Sequence, residues 1–280
     1  MPNIADWLTW ASLRDSLNSA FTTSLVGALA GAYAGARAAQ VITERAKERD
    51  NLIAQIRTTN AAIMVSFTVC NAYLSLKKQY VRDLHTAFLA SRAELDEFNR
   101  RRKAGEIGKD VPFEFRADLR TIQLPAVPLD VLRSLVFDKL SVLDRPLALV
   151  SAITGAAASL NDTISKRQAL IDKFRNFSPA ERRLLPALYF GLPYAEGHMS
   201  TEYADTVEAT SSLTDDVIFF SDLLCQDLYA YGEVQLANLR KLSKASAETI
   251  RRIDFSEARA AGLMPQTEMY QAWLKGFKKE

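Results

Sequence analysis

Histidine and cysteine are nearly missing from this chain: two of each among 280 residues. With only His85 and His198, and with Cys70 and Cys225 far apart, no zinc spacing can be assembled. There is no H-E-x-x-H, no E-x-x-H pair of the di-iron bundle kind, no G-x-S-x-G and no G-x-x-x-x-G-K-[ST]. Zincins, nucleophile-elbow hydrolases and P-loop NTPases lose their usual sequence signatures. Eleven Gly and nine Pro exclude a collagen-like chain, and 48% hydrophobic with 24% charged residues excludes global disorder. Net charge is also scarce. Lys+Arg is 35 against 33 Asp+Glu, a balance of +2, so the electrostatic basis for a nucleic-acid partner is absent. Both cysteines sit in apolar helical patterns and read as small buried hydrophobes in a reducing compartment; a disulfide between them is the alternative.

Charge is missing altogether from residues 16–36, SLNSAFTTSLVGALAGAYAGA. That run makes about 31 Å of helix, the thickness of a bilayer core. Thr23, Gly27, Gly31, Gly35 and Ala39 recur every four residues, a small-residue stripe for close helix approach. Phe21, Leu25, Leu29 and Tyr33 recur on the opposite face. Trp7 and Trp10 precede the run, where interfacial aromatics belong. Residues 1–15 lack the basic start of a cleavable signal peptide, with Arg14 set against Asp6 and Asp15. The reading is a transmembrane helix over 16–39 behind an interfacial segment over 1–15. Ser19, Thr22, Thr23 and Ser24 keep the run only marginally hydrophobic, and a soluble helix packed through its glycines is the competing reading. Arg37, Arg45, Lys47, Arg49 and Arg57 follow the run, which places the C-terminal domain in the cytoplasm if it spans.

A second uncharged stretch, residues 58–76, would suit a second span and a hairpin. Its apolar seam, however, runs on past Lys77 and Lys78 as a 4-3 alternation: Ile63, Phe67, Cys70, Leu74, Lys77, Val81, Leu84, Phe88, Ser91, Leu95 and Phe98. That is the pattern of one long bundle or coiled-coil helix, and 40–104 is assigned as such a region. Arg100, Arg101, Arg102 and Lys103 before Gly105 form an ordinary helix stop; an anionic partner for the run is the alternative.

Residues 105–127 break the helical period. Phe113, Phe115, Ala117, Leu119 and Thr121 alternate with Glu114, Arg116, Asp118 and Arg120, which predicts an extended linker or strand near 111–124. Residues 128–280 return to helix as a bundle domain. One seam runs Val150, Ile153, Ala157, Leu160, Ile164, Arg167, Ile171 and Phe174; another runs Val217, Phe220, Leu224, Leu228, Tyr231, Gln235, Leu239 and Leu242. Ser178-Pro179-Ala180-Glu181 is a capping box, with Pro186 limiting the helix after it. Asp254 to Glu257 caps a short turn that Gly262 ends, and Trp273 and Phe277 are spaced to dock on the bundle. Asp215 and Asp216 read as solvated neighbours.

One acidic stretch carries a chemical possibility: Glu196, His198, Glu202, Asp205 and Glu208. It suits a metal or acid–base site, or simply carboxylates complementing the dipole of a helix start. The expected fold is all-α, with an N-terminal transmembrane helix followed by a long-helix bundle. The expected function is a membrane-anchored, self-associating cytoplasmic interaction or effector protein without catalytic activity. Gly27, Gly31 and Gly35 form its helix-packing face, and Trp7 and Trp10 lie at the membrane interface. The layout is, by analogy, that of single-span bacterial inner-membrane proteins. No cofactor, metal or nucleic-acid partner is expected; a homo-oligomer and a protein partner are. Two alternatives of other classes stand beside it: an oligomeric pore with a cytoplasmic sensor bundle, and a hydrolase using the 196–208 cluster.

Overall fold

The computed structural model describes residues 20–108, 110–194, 197–243 and 247–277. Among these the chain is all helix and irregular segments, with no strand. Helix α1 spans Ala20–Leu76 and passes through a π-helical turn, Lys77–Val81, into α2, Arg82–Lys103. Helix α3 is Leu129–Ser134 with a π-helical turn Leu135–Lys139, α4 is Arg145–Arg175, and α5 is Leu185–Phe190 behind a 3-10 turn Glu181–Leu184. Helix α6 is Glu202–Leu242. The short α7, Ser256–Ala260, and α8, Gln271–Lys275, close the chain. The residues group into two units, Met1–Ala54 with Ala237–Ala247, and Gln55–Leu236 with Glu248–Glu280.

The second unit is the bundle, and its core is the set of seams set by helical periodicity. On α1 and α2, Ile63, Cys70, Leu74, Val81, Leu84, Phe88 and Leu95 are buried. Residues 58–76 therefore form a core helix of the bundle. Its polar side chains are satisfied inside: Ser66 Oγ donates to the Ser221 carbonyl at 3.0 Å, and Thr59 Oγ1 to that of Gln55 at 2.7 Å. On α4, Val150, Ile153, Ala157, Leu160, Ile171 and Phe174 are buried, and so is Arg167, at 2% exposure. On α6, Val217, Leu224 and Leu228 are fully buried, whereas Leu242, placed in that seam by spacing, is 40% exposed.

Helix stops follow local chemistry. Gly105, at φ +78°, ends α2 with the Glu106 N–H donating to Arg101 O and the Gly105 N–H to Arg102 O, a Schellman arrangement. The basic run is tied locally: Arg100 to Glu97 at 2.6 Å, Arg101 to Glu106 at 3.1 Å, and Arg102 to the Val111 carbonyl. The capping box forms as spaced, with Ser178 N–H donating to Glu181 Oε2 at 2.8 Å and Glu181 N–H to Ser178 Oγ at 3.4 Å. Pro186 does not limit the helix after the box. It occupies the first turn of α5, where its missing N–H has no partner to lose. The α8 aromatics dock, Trp273 lying 4.9 Å from the Phe220 ring and 4.6 Å from Phe277.

The strand option for 111–124 is corrected. No ladder forms, yet the period-two burial holds from Phe113 to Leu119: Phe113, Phe115, Ala117 and Leu119 pack on the core while Glu114, Arg116 and Arg120 face solvent; the period then slips, and Thr121 is exposed while Ile122 is buried. Side chains replace the missing ladder. Tyr203 Oη donates to the Asp118 carbonyl at 2.8 Å, and Arg167 donates to the Asp118 and Arg120 carbonyls at 3.3 and 2.8 Å. Arg175 donates to the Leu119 carbonyl at 2.8 Å, and the Asp118 N–H donates to Tyr189 Oη at 3.2 Å. Phe115 inserts between Tyr189 and Phe190, 5.1 Å from each ring. Residues 111–124 are thus a strap held by aromatic contacts and arginine–carbonyl bonds.

Two glycines give a paired test. Gly191 ends α5 at φ +65°, and a Cβ there would stand 3.2 Å from Thr201 Cα. Gly155 lies inside α4 with open space where its Cβ would be. Gly191→Ala should cost about 1–2 kcal/mol or more from the left-handed backbone. Gly155→Ala should gain up to about 1 kcal/mol from helix propensity. Urea unfolding followed by circular dichroism checks both, and equal effects of one sign would contradict the assignment.

Candidate functional site

From residue 24 to residue 51 every side chain of α1 is exposed. Leu25, Val26, Leu29 and Tyr33 show 49%, 61%, 63% and 68% of their surface, and Ile42 shows 69%. Built Cβ atoms at Gly27, Gly31 and Gly35 meet no atom within 4 Å. Among the described residues the glycine stripe therefore packs against nothing, and Leu25, Leu29 and Tyr33 opposite it are bare as well. Trp7 and Trp10, with residues 1–19, lie outside the described residues.

Among the described residues two helices are, by length and composition, apolar enough to cross a membrane. The first is the continuous helix Ser24–Lys103, whose apolar window lies near the N-terminus and is wholly unburied. The second is α4, Arg145–Arg175, whose window is one-third buried and whose seam belongs to the bundle core.

The 196–208 cluster comes together only in part: Glu202 and Asp205 line one groove, and His198 and Glu208 do not. Glu196 lies outside the described residues. His198 is exposed, and its carbonyl accepts from the Tyr194 N–H at 2.8 Å. Asp205 accepts from the Thr201 hydroxyl at 2.7 Å, an arrangement at the start of α6. Glu208 turns to α2 and meets His85 Nε2 at 2.7 Å. Glu202 is exposed and, with Asp205, lines an open groove of about 640 Å³ between α4 and α6 that Lys166, Leu170 and Lys173 also line. Among the described residues no three His, Cys, Asp or Glu side chains gather into a group that would hold a metal ion.

The titratable pairs that do form were not legible as sites. Asp215 and Asp216, read from sequence as solvated, are both engaged. Lys77, the cation in the α1–α2 seam, reaches Asp215 Oδ1 at 2.6 Å with side chains only 12% and 19% exposed. Burial raises Asp215 above the ordinary carboxylate range, while Lys77 pulls it back down. Tyr270 Oη donates to Asp216 Oδ1 at 2.9 Å, and burial raises Asp216 as well. Arg145 holds Asp227 through two bonds of 2.5 and 2.8 Å at the edge of an 820 Å³ cavity that Tyr231 and Phe277 also line. The signal available in sequence was the lysine at an apolar seam position, which demands an anion on the facing helix.

Both cysteines are free and buried, each donating to a carbonyl across the α1–α6 contact: Cys70 to Ile218 at 3.6 Å and Cys225 to Ile63 at 3.7 Å. Burial raises the Cys70 thiol well above its ordinary value and pushes Cys225 up to about 12. Neither supplies a thiolate near neutral pH. No family model, curated protein or solved structure matches the chain.

The Lys77–Asp215 pair gives a pH-dependent test. A carboxyl raised by folding adds stability below the ordinary carboxylate range and loses it as pH climbs through the raised value. Lys77 limits that loss. Lys77→Met should cost about 2–4 kcal/mol near neutral pH, where Asp215 is left charged and unpaired. The cost should shrink at acid pH, where the raised Asp215 carboxyl takes up a proton. Urea unfolding at the two pH values measures this; a pH-independent cost would show that only lost packing is at stake.

Proposed function

We propose that the chain is a membrane-anchored, self-associating helical interaction or effector protein without catalytic activity, with its bundle on the cytoplasmic side. The observation that carries the reading is residues 24–36 of α1, an uncharged run whose apolar side chains are all exposed. Each Leu or Val left in water forgoes about 1.5–3 kcal/mol of transfer energy. A bilayer supplies that transfer for a helix long enough to span it. The basic residues Arg37, Arg45, Lys47 and Arg49 after the run support the orientation.

Self-association rests on the same segment. Inside lipid, helix pairing depends on close backbone approach because the tails are as apolar as leucine. Gly27, Gly31 and Gly35 offer that approach on a face that meets no partner among the described residues. The non-catalytic reading is supported by the polar groups of the bundle, which are engaged with one another: His85 with Glu208, Lys77 with Asp215, Arg145 with Asp227.

The test is membrane fractionation with a carbonate wash. Wild-type protein should stay in the pellet. Leu29→Arg should move it to the supernatant, since a central arginine costs about 2.5–3.5 kcal/mol on the insertion scale. Wild-type protein found wholly in the soluble fraction would end the anchoring idea. For association, Gly31→Leu should reduce crosslinked oligomers in detergent while leaving fractionation unchanged. Oligomers of undiminished yield would assign the stripe no pairing role, and ion flux on expression would favour a pore.

A further inference from the structure

The groove of about 640 Å³ between α4 and α6 is lined from both sides at the spacing of a helical seam. On α4, Thr163, Lys166, Leu170 and Lys173 follow one another at i, i+3, i+7 and i+10. On α6, Glu202, Asp205 and Ala209 stand at i, i+3 and i+7. This is the stripe a helix turns to a neighbour in a bundle. The floor between the charged positions is small and partly apolar: Thr163, Leu170 and Ala209 are half-buried, and Thr206 is buried. From residue 163 to residue 173 the groove follows α4 for about 15 Å, between two and three turns.

Its walls carry opposite charge and do not close on each other. Lys166, Lys173, Glu202 and Asp205 are all exposed, and among the described residues no ion pair joins either lysine to either carboxylate. Asp205 accepts from the Thr201 hydroxyl at 2.7 Å, and the charge of Lys173 also reaches Glu181 of the capping box. These walls select the occupant. A purely apolar body would desolvate four charges and answer none of them. An acidic or basic body would answer one wall and be repelled by the other, and the acidic wall turns away a polyanion. Both walls are answered by a helix whose apolar stripe fills the floor, with acids along one flank for Lys166 and Lys173 and bases along the other for Glu202 and Asp205.

We propose that this groove docks an amphipathic helix of a partner protein, one with acids along one flank of its apolar stripe and bases along the other. The walls also fix the direction in which that helix lies, because turning it end for end sets acid against Glu202 and base against Lys166. The proposal rests on the interaction reading above and not on anchoring, since a chain released from the membrane keeps the same groove.

The experiment follows the fluorescence anisotropy of a labelled helical peptide of about four turns, titrated with the full chain in detergent. The peptide carries a leucine seam with glutamates along one flank and lysines along the other. Control peptides carry the same seam with both flanks acidic or both basic. The mixed peptide should bind saturably, and each control about tenfold more weakly, from one lost wall and like-charge repulsion. Lys166→Glu together with Lys173→Glu makes both walls acidic; this variant should keep its helical circular dichroism and bind the two-base peptide best. The control peptides act on the wild-type chain, so they decide the matter even where the double variant unfolds. Equal binding of all three peptides would show apolar adhesion alone, and no saturable binding would show no docking site. Loss of the wild-type crosslinked oligomer in a folded double variant would show that a second copy covers the groove. Any of these overturns the proposal, whereas the carbonate wash and the Gly31→Leu crosslink test anchoring and stripe pairing without involving the groove.

Discussion

The bundle is organised around a buried positive charge that has to be answered by backbone. Arg167 sits at a core position of α4, and the groups that solvate it are the carbonyls of residues 118 and 120. A segment with no strand partner would ordinarily leave those carbonyls to water, at a cost of about 1–3 kcal/mol for each one buried unbonded. Arginine and the strap satisfy each other: the strap brings acceptors, and the helix brings donors. Tyr203 on α6 and Tyr189 on α5 complete the junction, stacked at a 4.5 Å ring separation, with Phe115 of the strap against Tyr189. Four segments distant in sequence meet there, so the position of α5 depends on the strap, and the strap depends on Arg167.

This arrangement explains what sequence could and could not show. The seams were legible because burial in a helix recurs every three or four residues whatever the partner. Ile63 to Leu95, Val150 to Phe174 and Val217 to Leu228 are buried as their spacing requires. The strap was legible as an alternation, Phe113, Phe115, Ala117 and Leu119 facing inward, because an extended chain also presents every second side chain to one side. What alternation cannot say is how the backbone is satisfied. A ladder and a set of arginine–carbonyl bonds bury the same residues. Arg167 stood in the seam as a mismatch, and Lys77 as another, but the partner of each lies on a remote segment. The splitting of the 196–208 cluster was equally hidden, since Glu208 is drawn away by His85, 123 residues earlier.

Residues 16–36 and 58–76 are both uncharged, but they solve different problems. The second stretch carries β-branched and aromatic side chains in a seam, with serine and threonine whose hydroxyls find helix carbonyls. Side-chain volume lets it fill a core. The first carries alanine and glycine on one face and a thin row of leucines and Tyr33 on the other. That leaves it little volume to pack with, and its described side chains bury nothing. Absence of charge is thus a weak criterion alone, and the distribution of volume around the helix separates the two.

The two buried cations, Lys77 and Arg167, also differ in what their replacement by an apolar side chain would do. Lys77 faces a carboxylate on α6, so a matched apolar pair in place of Lys77 and Asp215 would be tolerated or even stabilising, as buried ion pairs gain little over well-packed hydrophobes. Arg167 faces backbone, and backbone cannot be substituted. Removing its guanidinium leaves the carbonyls of 118 and 120 with fewer donors and no compensating second change. An ion pair between helices constrains register, whereas an arginine on carbonyls constrains the path of an irregular segment. The bundle uses the first between α6 and the junction of α1 with α2, where helical surfaces must align, and the second at the strap, where no regular surface exists.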